Sequence, residues 1–245
     1  MVVAIGAAMP GRVAVKTGVD LAAAVGAALE GLFVESAELW RVSALPNARE
    51  TSTLTGIRRP LAAGDLERAF RVEAARLERL LATQAERTRV AWSFTVTRGD
   101  LWAAALARNA ELIVFEAMAG ANVPPRSPRA QGPLLSVFDA TPQARRGLAA
   151  TTRLARMMGS ELVILVPAGN TTALRSARNQ AEDWLAAEHA TGCTLPLCLE
   201  YGSVMGAARL QRGVLLVVPM PVAAEWSADI SALATDAPCP LVIAR

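Results

Sequence analysis

Lysine is almost missing from this chain: Lys16 is the only one among its 25 basic residues, and the rest are arginine. There is also one histidine, one tyrosine and three cysteines. Each scarcity excludes something. A single His189 leaves no histidine-centred catalytic triad and no multi-histidine metal set. Cys193 and Cys198 have no second cysteine pair and only His189 nearby as a further ligand, so no zinc site is expected. With Cys239 the count is odd, which fits reduced thiols in a cytoplasmic protein and not a disulfide framework. Long uncharged apolar runs are absent too. Residues 1–34 are the most apolar stretch near the start, but Arg12, Lys16, Asp20 and Glu30 interrupt it, so neither a signal segment nor membrane insertion is expected. The net charge is +3 and the pI about 9.1, a high value that reflects arginine in place of lysine. Because the basic and acidic groups alternate along the chain, they leave no clustered nucleic-acid footprint.

What is present is hydrophobic residue, 53% of 245, much of it alanine, which is enough for two cores built on closely packed helices. The most legible stretch runs from Leu134 to Val166. Leu134-Leu135-Ser136-Val137-Phe138 is a short apolar burst of the kind that forms a parallel strand covered on both faces. Thr141-Pro142 supplies a capping hydroxyl and a proline suited to the first helical position. Leu148, Thr151, Ala155 and Met158 recur at helical spacing, and Gly159 stands where a left-handed residue ends a helix. Glu161–Val166 is the next strand, so the unit is a parallel pair with a crossover helix.

The pattern returns. Shifted by 133 positions, Leu154, Ala155, Gly159, Leu162 and Leu165 fall on Leu21, Ala22, Gly26, Leu29 and Leu32. Shifted by 103, Gly202, Val204, Ala207, Ala208, Leu215, Leu216 and Val217 fall on Gly99, Leu101, Ala104, Ala105, Leu112, Ile113 and Val114. The two offsets differ by 30 residues, so the first copy carries an insert of that size. Together they predict two tandem Rossmann-like α/β domains, each a parallel sheet flanked by helices: residues 1–116 with an insert at about 36–64, a Pro-rich linker over 117–132, and residues 133–245.

Within the insert, Ser36 caps a short helix containing Leu39, Trp40 and Val42, and the remainder through Arg58-Arg59-Pro60 reads as loop facing a partner. Asp65 opens the longest helix, and 90–97 alternates as an edge strand does. Pro124, Pro125 and Pro128 forbid a helix where the second copy has one over 224–235, so the first domain lacks its own last helix and fifth strand. Leu241–Ala244, last in the chain, is expected at an outer edge, available to pair a homodimer.

The element order, the ending Ala237-Pro238-Cys239-Pro240-Leu241-Val242-Ile243, the run Val137-Phe138-Asp139-Ala140-Thr141, and Gly202 leading into the helix before the fourth strand of the second copy together resemble the universal stress protein family, whose domains are adenine-nucleotide alpha hydrolase-like. The resemblance implies a nucleotide crevice at the carboxyl ends of the strands. It implies an acidic residue after the first strand and a glycine-rich phosphate loop after the fourth. The chain departs from both. Gly6 stands where the first copy's acid belongs, and Glu116 and Gly120 are followed by no glycine until Gly132. In the second copy Asp139 and Thr141 fit, but Pro219-Met220-Pro221 replaces the glycine loop, and prolines donate no N–H.

The resemblance would make Asp139, Thr141 and Val166 the cofactor-binding residues, with ATP or AMP as the ligand. Read from the residues alone, Asp139 is a turn-former ahead of a ligand contact, and His189 is a helix-end residue. Glu35 and Glu38 have no spacing that forces a pair, so no hydrolase is supported. Trp40, Trp92, Trp102, Trp184 and Trp226 lack a basic stripe and read as packing residues. The expectation is therefore a non-catalytic universal-stress-like protein acting by protein–protein interaction, without cofactor or metal. The rival expectation is a regulator that binds ATP or AMP weakly near Asp139.

Overall fold

The computed structural model describes residues 1–7, 9–51, 55–117, 132–168, 171–198, 201–220, 222–223, 233 and 235–245. The elements run β1 (Val2–Gly6), α1 (Arg12–Val25), β2 (Leu29–Ser36), α2 (Ala37–Ser43), β3 (Arg49–Thr51), β4 (Arg58–Pro60), α3 (Ala63–Thr88), β5 (Trp92–Gly99), α4 (Leu101–Leu106) and β6 (Leu112–Phe115). They continue with β7 (Leu134–Val137), α5 (Pro142–Met158), β8 (Leu162–Ala168), α6 (Thr171–Ala187), β9 (Cys193–Cys198), α7 (Tyr201–Leu210), β10 (Leu215–Pro219) and β11 (Leu241–Ala244). The linker prolines, Gly120, Pro221, Trp226, most of the expected 224–235 helix, and the side chains of Cys193 and Cys198 lie outside the described residues.

One nine-stranded sheet organises the chain, in the order β5-β2-β1-β6-β11-β10-β7-β8-β9. Every neighbouring pair is parallel except β6 with β11. Helices cover both faces. One core packs α1, α3, α5 and α6 under Val3, Ile5, Phe33, Leu134 and Ile164, and the other packs α4 and α7 over Ala4, Leu32, Phe115, Leu165 and Leu216. This is a Rossmann-like α/β fold with a mostly parallel sheet. Strands covered on both sides need apolar residues on both, which is why they read as unbroken runs.

The pairing register carries the sequence offsets into space. Val2 stands opposite Ile113 and Glu30 in the first half, and Leu135 stands opposite Leu216 and Val163 in the second. α1 and α5 both stop at a left-handed glycine, Gly26 (φ 71°) and Gly159 (φ 63°), whose N–H groups donate back to Ala22 and Ala155. A β-carbon is disfavoured at that φ, so the same residue type recurs at both helix ends.

Two expectations need correction. Leu241–Ala244 is not an edge: β11 sits in the middle of the sheet, parallel to β10 and antiparallel to β6, and all four of its residues are buried. The physical reason lies in β6, whose outer row of N–H and C=O groups faces a gap where a fifth strand of the first half would stand; β11 fills it. A homodimer through that strand is therefore excluded, and among the described residues the outer strands of the sheet are β5 and β9. The second correction is in the insert. Residues Arg49–Thr51 and Arg58–Pro60 form an antiparallel hairpin, closed by Leu61 N–H to Ala48 O at 2.9 Å and by an Arg59–Glu50 ion pair. With three residues per strand and no apolar alternation, it left no periodic signal.

Candidate functional site

In a sheet of this type the carboxyl ends of the strands are where ligands bind, at the point where the strand order reverses. In the first half those ends are Gly6 of β1, Ser36 of β2 and Phe115 of β6. The chain leaves β1 through a turn to Gly11, the N-cap of α1, which has φ 69° and no side chain to offer the helix. A β-carbon there would lie 2.4 Å from Leu77 and 3.0 Å from Ile5, so glycine is required on two counts. The free N–H groups of α1 are instead met from across the sheet. Glu116, one residue past β6 and only 6% exposed, accepts hydrogen bonds from the backbone N–H of Gly11 and of Val13. Its burial holds the carboxyl above the usual carboxylate range, although the two N–H bonds and the nearby Arg76 guanidinium pull the other way. Arg76 itself donates to Pro10 O and pairs with Glu73, tying α3 to this turn.

A second cluster forms at the carboxyl end of β2. Trp40 of α2 packs edge-on against Phe70 at 5.9 Å and donates its indole N–H to Glu35 Oε2 at 3.1 Å. Arg98 lies 3.9 Å over the Trp40 ring and pairs with the same carboxylate at 3.3 Å. Glu35 is thus spoken for by an indole and a guanidinium. Glu38 is exposed on α2 and does not join it.

The second half is built differently. Asp139 follows β7, Ala140 takes the left-handed conformation (φ 67°), and Thr141 caps α5. Asp139 Oδ1 accepts from Thr141 N at 3.1 Å and from Thr141 Oγ1 at 2.6 Å, and the same hydroxyl accepts from Ala144 N at 3.2 Å. One carboxylate oxygen is therefore used for the turn. The partly exposed Asp139 shows no further partner on its other oxygen among the described residues. Val166 lies inside β8, opposite Pro196 of β9, and is fully buried, so its side chain faces core. At the end of β10, Pro219 still pairs with Ala244, and Met220, Val222 and Ala223 follow at once in helical conformation, the last two buried. The structure thus brings Asp139 and Thr141 into direct contact and leaves Val166 to the core.

His189 ends α6 in the left-handed region (φ 49°), away from this crevice, and Cys239 is buried. Among the described residues no group of three His, Cys, Asp or Glu could hold a metal ion, and no helix is long and apolar enough to cross a membrane. Trp102 stacks on Phe115 at 3.9 Å, and Trp92 and Trp184 pack against the core. The residue that sequence reasoning undervalued is Glu116: in the sequence it only marks a loop short of glycine, and its partner Gly11 is 105 residues away.

No protein-family model matches the chain, and no curated protein matches it in sequence. Solved structures do resemble it. A universal stress protein from Archaeoglobus fulgidus DSM 4304 aligns over 100% of this chain and 96% of its own, with a TM-score of 0.54 and 13% identity. The cytoplasmic domain of a prokaryotic cation chloride cotransporter aligns over 99% of this chain and 93% of its own, with a TM-score of 0.51 and 10% identity. At these identities the likeness is one of fold, and the fold is that of a universal stress protein structure.

Proposed function

We propose that this chain is a tandem universal-stress-like protein that acts through its surfaces, without catalysis, and whose two nucleotide crevices are degenerate. The Glu116 carboxylate carries this reading. The N-terminus of α1, with its unpaired N–H groups and positive dipole end, is a place for an anion, and here the anion is part of the chain. A phosphate in that position would have to displace a buried, twice-bonded carboxylate and sit beside its charge. Trp40, Arg98 and Glu35 fill the neighbouring space. In the second half Pro219, which donates no N–H, stands at the end of β10 where the resemblance expects a glycine-rich phosphate loop.

A second reading has one observation in its favour: the free oxygen of Asp139 next to the Thr141 hydroxyl could take an adenosine ribose, giving weak ATP or AMP binding in the second half alone. Titration calorimetry with ATP and AMP separates the two. Absence of heat at millimolar nucleotide supports the surface reading. Micromolar binding that disappears in Asp139→Ala overturns it.

A further inference from the structure

The insert folds without burying itself. None of the seven residues of α2 is buried, and the six residues of β3 and β4 are exposed apart from a half-buried Glu50. Ordering such a segment costs conformational entropy that its own contacts do little to offset. Apolar side chains nevertheless lie on it: Leu39 and Val42, three residues apart on α2, are 37% and 42% exposed, Leu45 in the following turn 60%, and Ile57 before β4 64%. The charges beside them lean to one sign, with Glu38 on α2 an exposed acid against Arg41, Arg49 and Arg58. On the hairpin, Arg49 pairs with Pro60 and Arg58 with Thr51, so alternation sets both arginines on one face, while Glu50 and Arg59 neutralise each other on the opposite face. Arg41 on α2 is exposed as well, and neither it nor Arg49 or Arg58 has an ion pair among the described residues.

We infer that α2 and the outer face of the β3–β4 hairpin form a docking surface for an acidic amphipathic segment of a partner protein, one that interleaves carboxylates with apolar side chains. This rests on the surface reading given above and names the partner's chemistry. The charge pattern selects the occupant. A second copy across a two-fold axis would bring one arginine-bearing face against another, a like-charge approach that disfavours self-association. Nucleic acid would satisfy the arginines but offer little to Leu45 and Ile57. An anionic bilayer would call for an aromatic anchor, and Trp40 is turned inward under Arg98 and against Phe70.

The test uses the whole chain and a fluorescein-labelled synthetic helical peptide with glutamates and leucines at three- and four-residue spacing, read by anisotropy. Saturable binding is expected, weakened about tenfold or more in Arg49→Glu/Arg58→Glu and by added salt. Val42→Ser/Ile57→Ser is expected to weaken it without changing the salt dependence. Arg87→Glu, at the far end of α3, is the control and should bind as the unmodified chain does. Circular dichroism and thermal melting verify that each variant is folded. Failure of the peptide to bind overturns the inference, as does equal loss in Arg87→Glu. So does tighter binding of phosphatidylserine vesicles or duplex DNA that is abolished by the same arginine reversals. Nucleotide binding in the calorimetry above would break the surface reading without deciding this titration, so the two failures are distinguishable.

Discussion

The two crevices solve the same capping problem with opposite means. In the second half the N-terminus of α5 is satisfied locally: Thr141 caps it, Asp139 holds Thr141, and three consecutive residues do the work. In the first half the N-terminus of α1 has a glycine cap and is satisfied by Glu116, brought from another strand. A local cap survives loss of the surrounding structure better than one assembled from afar, because the distant donor and acceptor meet only once the sheet has formed. Among the described residues the local cap also leaves one Asp139 carboxylate oxygen without a partner, whereas the distant one is buried at the N-terminus of α1. The lesson is that two halves of one sheet can close equivalent helix N-termini, one with neighbouring residues and one with a carboxylate from a distant strand.

That contrast can be broken by substitution. The largest effect is expected at Gly11→Ala. A left-handed alanine there costs about 1–2 kcal/mol, and its β-carbon must also displace Leu77, for a total of about 3 kcal/mol in denaturant unfolding. A loss under about 1 kcal/mol would mean that the turn can relax and that the plug is not held as described. Next comes Glu116→Ala, which strands the N–H groups of Gly11 and Val13 in a buried place and should cost about 2 kcal/mol. Thr141→Ala should cost about 1 kcal/mol, the usual value of a side-chain cap, and so less than its first-half counterpart. If Thr141→Ala proves the more damaging, the comparison is wrong.

The smallest effect is the most specific. The Glu116 carboxyl is raised in the folded protein, from an ordinary value of 4.5, because burial outweighs its hydrogen bonds. The folded state therefore holds this proton more tightly than the unfolded chain. The resulting stability is complete below the unfolded value and is lost as pH rises through the folded one. Urea midpoints measured from pH 4 to 7 should show the unmodified chain losing ground steadily to Glu116→Gln over that range. An advantage that grows with pH instead would show that the N–H bonds and Arg76 outweigh burial.

Much of the fold was legible because its signals are local. Apolar runs gave the strands, Thr141-Pro142 and Ser36 marked helix starts, and Gly26 and Gly159 marked helix ends. The alternation over 90–97 pointed to an edge, and β5 is one. Of the site, Asp139 and Thr141 were visible as neighbours in sequence, and they are neighbours in space. Glu116 was visible only as a residue in a loop short of glycine. The β3–β4 hairpin was hidden because its three-residue strands are held by backbone pairing and an ion pair and not by buried side chains.

The sequence by itself determined which segments became strands and helices and that they alternate around a mostly parallel sheet, since apolar periodicity and capping act over a few residues at a time. Only the tertiary structure decided where Leu241–Ala244 lies and what Glu116 touches. A strand's place in a sheet depends on which other strand is left without a partner, and a buried carboxylate on which distant donors reach it. Neither is written within the reach of one helical turn.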